Sequence, residues 1–146
     1  MVRARSRARG WALQILYAWE MRGREREIRD VLADFMADRR IGEASREYLF
    51  RLLHAIEEHL PDIDRSLHES ITNWRLERLS VVDRNVLRIG AAELLYLVDV
   101  PPAVSIQEAI VLAEKYGTDE SPRFVNGVMD ALMRQTRGSG AGGGRH

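Results

Sequence analysis

The sequence predicts an all-α fold of about seven helices, and three observations predict it. Apolar residues recur at intervals of three and four along nearly the whole chain. No segment alternates strictly at period two with β-branched enrichment. Start and stop signals (Gly23, Gly42, Pro61, Pro101-Pro102, Gly117) fall between the apolar runs. With 146 residues the chain can bury one domain's core. Residues 1–137 are expected to form that single domain. Residues 138–146, rich in Gly, are expected to be disordered, because they have little to bury.

The first helix should run from about Arg3 to Met21, with Trp11, Ala12, Ile15, Leu16 and Trp19 as its apolar stripe, and Gly23 should end it. A second should cover roughly Glu25 to Ala37, with Ile28, Val31, Leu32, Phe35 and Met36 on one face. A third, about Ala44 to Leu60, carries Tyr48, Leu49, Leu52, Leu53 and Ile56. Pro61 suits the first turn of a short fourth helix with Ile63 and Leu67, and Thr72-Asn73-Trp74 reads as an irregular link. The fifth helix, about Ser80 to Val98, is apolar around most of its circumference and should lie at the centre of the domain. Its charges (Asp83, Arg84, Arg88, Glu93) should mark the sides that reach the surface. Ser105 and Glu108 have the spacing of a capping box opening a sixth helix, with Val104 and Ala109 in staple positions. Ser121-Pro122 should cap a seventh, whose core face is Val125, Val128, Met129 and Leu132.

Charge is unevenly placed. The whole chain is neutral, but residues 1–29 carry eight arginines against three acids, and the remainder is acidic by the same margin. Arg3, Arg5, Arg7 and Arg9 precede any acidic residue. Arg5 and Arg9 share one helical row, and Arg3 and Arg7 form another beside it. Positive charge opposes the macrodipole at a helix N-terminus, which favours an anionic partner there. Spacing alone leaves two readings, a phosphate-binding surface or a solvated basic extension. Only one of the twenty-two basic residues is Lys (Lys115), so arginine by itself is not a functional mark in this chain.

Catalytic and metal readings find little support. There is no cysteine, which excludes disulfides, thiolate nucleophiles and thiolate metal sites and is compatible with a cytoplasmic protein. His54 and His59 are five apart, a poor spacing for one helical face. No HExxH, GxSxG, P-loop or GxGxxG occurs. No catalytic residue, metal or cofactor is expected. No apolar run approaches the roughly 20 residues that cross a bilayer, so no membrane partner is expected.

A second candidate site is the loop from Gly117 into the last helix, with Asp119, Ser121, Arg123, Phe124 and Asn126. A helix N-terminus there exposes amides to an anion or a base edge. Phe124 lies off the core stripe, and either stacks on a base or staples the loop. Gly127 either permits close approach of a ligand or allows tight helix packing. Tyr17, two turns after Arg9, offers a second aromatic edge.

Four segments, RARSRARGWALQILYAWE, VVDRNVLRIGAAELLY, DVPPAVSIQEAIVLAEKYG and RFVNGVMDAL, closely resemble the transcription antitermination factor NusB family, in the family's order, over about residues 3–134. The resemblance implies two packed helical subbundles and a non-catalytic, RNA-binding regulator of transcription termination. It implies binding of single-stranded boxA RNA from ribosomal RNA leaders, with the small-subunit ribosomal protein NusE, within an antitermination complex on RNA polymerase. Carried onto this chain, the RNA face would comprise Arg3, Arg5, Arg7, Arg9, Gln14, Tyr17, Asp119, Ser121, Arg123, Phe124 and Asn126. The NusE face would include Asp83, Arg84 and Tyr96. The resemblance also allows a homodimer that covers the Arg-rich surface. The rival readings are a protein–protein adaptor, a non-specific RNA binder, and a fragment of an RNA methyltransferase. The last would need a glycine-rich nucleotide motif and a catalytic cysteine, which are missing.

Overall fold

The computed structural model describes residues 2–72 and 75–143, with side chains from 3 to 136. It contains six α-helices and one 3-10 turn: α1 (Val2–Met21), α2 (Ile28–Asp38), α3 (Glu43–Ser70), the turn Leu76–Arg78, α4 (Val81–Tyr96), α5 (Pro102–Tyr116) and α6 (Ser121–Gly143). Helix α6 extends into the Gly-rich segment, and residues 144–146 lie outside the described residues, as do Asn73 and Trp74 of the expected link.

The difference from seven helices lies in α3. The expected third and fourth helices are merged across a kink at His59 (φ −115°, ψ 18°), two residues before Pro61. Proline has no N–H to continue the ladder, and its ring crowds the carbonyl four residues back. The break at His59 relieves that clash without ending the helix. Bent in this way, α3 packs on α1 and α2 on one side and on α4 and α6 on the other. The helices fall into a group α1–α2–α3 and a group α4–α5–α6, joined where α4 lies against α1 and α3. One continuous apolar core runs through both.

Each helix end has a local cause. After α1 the Arg24 N–H donates to the Trp19 carbonyl and the Gly23 N–H to that of Glu20, a Schellman arrangement that needs Gly23 at φ +77°. Ser80 caps α4, its hydroxyl accepting the Asp83 N–H at 3.0 Å. The capping box expected at Ser105 does not form. Helix α5 starts three residues earlier, with Pro101 as N-cap and Pro102 in the first turn. Ser105 is fully buried inside the helix and its hydroxyl has no hydrogen-bond partner among the described residues, while Val104 is exposed. Glu108 is drawn instead to α1, as described below.

Helix α4 is central as expected, with every residue from Arg84 to Glu93 buried. Three of its four charges, Arg84, Arg88 and Glu93, are buried, however, and only Asp83 is partly exposed. Arg84 and Arg88 both bind Glu20 of α1, at 2.7 and 2.5 Å, and Arg88 also holds Asp64 of α3 at 2.9 Å. Asn85 adds a hydrogen bond to Glu20 at 2.9 Å. Burial pushes the Glu20 carboxyl up, but the hydrogen bond from Arg84 and the charge of Arg88 outweigh it and hold the group at about 2. Removing one member of such a network leaves a buried charge uncompensated, at a cost of about 3–5 kcal/mol.

Candidate nucleic-acid interface

The four arginines at the head of α1 separate into two rows with different surroundings. Arg5 and Arg9 belong to the row that continues into buried Ala12 and Leu16. Arg9 is only 2% exposed. Its Nε donates to Glu93 Oε2 at 2.6 Å and its Nη1 to Glu108 Oε1 at 3.0 Å. The Tyr48 hydroxyl donates to the same Glu93 oxygen, and the Ser6 hydroxyl to the same Glu108 oxygen. Burial alone would lower the Arg9 pKa, yet the Glu93 carboxylate keeps it above its ordinary value. Burial, with the Glu93 charge next, pushes the Tyr48 hydroxyl up.

Arg5, half-buried, donates to Asp99 at 3.0 Å, and Arg51 of α3 holds the other Asp99 oxygen at 2.6 Å. The hydrogen bond from Arg51 is the main reason the Asp99 carboxyl lies at about 2. The inner row therefore joins α1 to α3, α4 and the α4–α5 turn.

The other row is the solvent face. Arg3, Arg7, Gly10, Gln14 and Tyr17 follow one another at spacings of four, three, four and three, so they form one stripe along α1. Arg3, Arg7, Gln14 and Tyr17 are exposed. Among the described residues neither Arg3 nor Arg7 has a carboxylate within 4.0 Å. Between this stripe and α5 runs a groove of about 390 Å³, lined by Arg7, Gly10, Gln14, Lys115 and Tyr116. Sequence reasoning passed over Lys115. Its position two residues before the helix-ending Gly117, beside the second candidate loop, was the available signal.

The loop after α5 is tightly built. The Ser121 hydroxyl accepts the Thr118 N–H at 3.0 Å. A Cβ at residue 117 would come within 2.5 Å of that hydroxyl and 2.8 Å of the Ala113 carbonyl, so Gly117 is required for space. Ser121 is buried in this turn, whereas Asp119, Arg123 and Asn126 are exposed. Phe124 is half-buried and stands between two grooves. One, about 360 Å³, is lined by Thr72, Arg123, Gly127 and Arg134. The other, about 300 Å³, is lined by Arg78, Ser80, Asp83, Thr118 and Glu120. Arg78, Arg123 and Arg134 have no carboxylate within 4.0 Å among the described residues. A Cβ at Gly127 would meet nothing within 4 Å, so tight helix packing does not account for this glycine.

The two aromatic positions are linked through the fold. Glu20, one turn beyond Tyr17, is gripped by Arg84 and Asn85 at the start of α4. The neighbouring Asp83 lines the Phe124 groove, with one carboxylate oxygen buried and unpartnered among the described residues. The three residues expected on a protein-binding face are not brought together. Asp83 belongs to the Phe124 groove, and Arg84 is buried on Glu20 and the carbonyls of Leu76, Glu77 and Leu79. Tyr96, at the far end of α4, stacks on His59 with ring centroids 3.9 Å apart, close in sequence to Val98, which is 95% exposed.

The Arg123/Arg134 groove beside the half-buried Phe124 fits a class, the helical RNA-binding modules, in which phosphates supply affinity and unstacked bases supply choice. The NusB family model matches residues 6–134. The chain is 37% identical to a transcription antitermination protein NusB of Chloroherpeton thalassium over 96% of its own length and 66% of that relative's. It is 43% identical to the NusB of Trichlorobacter lovleyi, over 88% of this chain and 89% of the relative.

Among solved structures, T. maritima NusB superposes with a TM-score of 0.81 at 37% identity, covering 90% of this chain and 91% of that one. A complex of antitermination factors NusB and NusE with dsRNA gives 0.82 at 29% identity, over 92% and 99%. The chain belongs to the NusB family, which consists of non-catalytic transcription antitermination factors. Among the described residues no helix is long and apolar enough to cross a membrane.

Proposed function

We propose that this chain binds single-stranded boxA-type RNA of ribosomal RNA leaders together with a NusE-type ribosomal protein, and that the assembly acts in the cytoplasm on RNA polymerase. The observation that carries the reading is the sorting of guanidiniums. Buried arginines are matched to carboxylates, while Arg3, Arg7 and Arg123 stand exposed beside Gln14, Tyr17, Phe124 and Asn126. Arg3, Arg7 and Arg123 neutralise phosphates. Tyr17 and Phe124 stack on bases, and Gln14, Asn126 and Asp119 offer donors and acceptors to base edges. Arg9 and Ser121 hold the two halves of the site in place, and Arg5 stands at its rim. The solved NusB–NusE complex with RNA supports the pairing of these two kinds of partner. On the protein side, Asp83 and Tyr96 of the expected face are half-buried rather than buried, and the exposed Val98 lies next to Tyr96.

Fluorescence anisotropy with a boxA-like RNA and a scrambled strand, with and without the ribosomal protein, tests the reading. Preference for the boxA-like strand that grows with the partner is the expected result. Equal, salt-sensitive binding of both strands, unchanged by the partner, overturns it. A homodimer over the Arg3/Arg7 stripe would compete with RNA, and light scattering during the same titration would show dimers dissociating as RNA is added.

A further inference from the structure

The chain carries a second set of arginines that the site above does not use. Arg39, Arg40 and Arg46 surround a groove of about 430 Å³ at the turn between α2 and α3. Arg39 and Arg40 are exposed and Arg46 half-exposed. Among the described residues none of the three has a carboxylate within 4.0 Å, although Asp38 lines the groove and Glu43 and Glu47 stand nearby on α3. Arg39 and Arg40 follow the end of α2, where positive charge suits the helix dipole. Arg46 sits in the first turn of α3, where it opposes the dipole, so helix electrostatics does not explain the group.

The groove adjoins the head of α1 through packed side chains. The Ser45 hydroxyl, next to Arg46, donates to the Ala4 carbonyl at 2.9 Å, between Arg3 and Arg5. Trp11 borders the α1–α5 groove and meets the edge of Phe35 at 6.4 Å, and the Arg39 guanidinium covers the Phe35 ring at 4.1 Å. Arg39, Arg40 and Arg46 thus stand beside the head of α1, separated from Arg7 and Lys115 by Trp11 and the buried Phe35.

We propose that the α2–α3 turn is a second, sequence-independent RNA contact, in which Arg39, Arg40 and Arg46 bind phosphates of the nucleotides flanking the element read at Tyr17 and Phe124. The inference rests on the RNA reading above and adds a longer footprint to it. The turn contributes guanidiniums and no positioned base-reading group, so it confers affinity without sequence choice.

The test compares the full chain with the triple variant Arg39→Ala, Arg40→Ala, Arg46→Ala on two RNAs. One is a boxA-like strand of about a dozen nucleotides, and the other is the same strand with oligouridine flanks. All three side chains lie outside the buried core, and circular dichroism confirms that the variant folds. The flanks should tighten binding by the unsubstituted chain, and the variant should lose that gain while binding the short strand as before. Three phosphate contacts at about 0.7 each reduce the log–log salt slope by about 2, so a fourfold rise in salt should cost the variant about 20-fold less affinity for the flanked strand. The proposal is overturned if flanks add nothing, if the variant keeps the gain, or if it weakens both strands equally. Specific binding of the short strand with no gain from flanks sinks this inference alone. No binding of either strand sinks the RNA reading as well.

Discussion

The two arginine rows of α1 share a residue type, a helix and a four-residue spacing, yet they end in opposite states. Arg9 is buried between Glu93 and Glu108, whereas Arg7, two residues away, is exposed with no carboxylate in reach among the described residues. What separates them is the presence of a matched acid on another helix. Arg84 and Arg88 on α4 repeat the inner row's arrangement, and Arg123 and Arg134 on α6 repeat the outer row's. In a chain whose basic residues are nearly all arginine, burial with a carboxylate marks the frame, and exposure without one marks the surface proposed for the polyanion.

The largest effect should come from breaking the frame. Arg88→Met removes the guanidinium that holds both Glu20 and Asp64, leaving two carboxylates undercompensated. The expected loss is about 3–5 kcal/mol, or roughly 10 °C in the melting temperature, read by urea and thermal unfolding. At a temperature where the variant stays folded, RNA affinity should be nearly unchanged. A variant that unfolds normally but binds RNA poorly would place Arg88 in the interface instead.

Acid offers a second way to open the same frame. The Glu20 carboxyl lies at about 2 in the folded protein, below its ordinary range near 4.5. A depressed carboxyl stabilises the fold above the unfolded pKa, and the stabilisation fades as pH falls from about 4.5 through about 2. The contribution is about 3 kcal/mol. Glu20→Gln should be less stable than the unsubstituted chain at pH 6, and the difference should shrink toward pH 2. A constant difference across that window would mean that Glu20 acts through packing and not through its charge.

On the surface the effects are smaller, and they divide. Phe124→Ala should cost a boxA-like RNA about 1–3 kcal/mol and a scrambled strand less, since stacking is lost where a base is placed. Arg7→Ala should weaken both strands alike and reduce the salt slope by about 0.7. Neither should move the melting temperature much, because Arg7 is exposed and Phe124 lies between grooves at the edge of the core. If both variants acted alike on both strands, the division between phosphate and base contacts would fail.

The fold was legible in the sequence because periodicity is local: the apolar stripes located the helices, although two of them share the kinked α3, and Gly23, Ser80 and Gly117 marked ends that the structure has. Apart from the kink before Pro61, the differences came from long-range partners. Ser105 and Glu108 have capping-box spacing, but Pro101-Pro102 starts α5 earlier, and Glu108 is taken by Ser6 and Arg9 about a hundred residues away. The charges of α4 were expected at the surface because their counterions, Glu20, Asp64 and Arg9, lie on other helices. The outer row was within reach of sequence reasoning. Arg3, Arg7, Gln14 and Tyr17 fall on one face, while Arg5 and Arg9 lead into Ala12 and Leu16, so the buried stripe already named the arginines it would carry inward.

Gly127 carries the smallest expected effect. An added Cβ there meets nothing within 4 Å, so the free protein gives no packing reason for glycine inside α6. Alanine should raise stability by up to about 1 kcal/mol through helix propensity alone. The same position borders the groove of Phe124, Arg123 and Arg134, where a strand stacked on Phe124 would run close to the helix backbone. Gly127→Ala should therefore melt a few degrees higher and bind boxA-like RNA more weakly, an opposition that damage to the fold cannot produce. A more stable variant with undiminished affinity would show that the strand leaves Phe124 by the other groove, past Asp83 and Thr118.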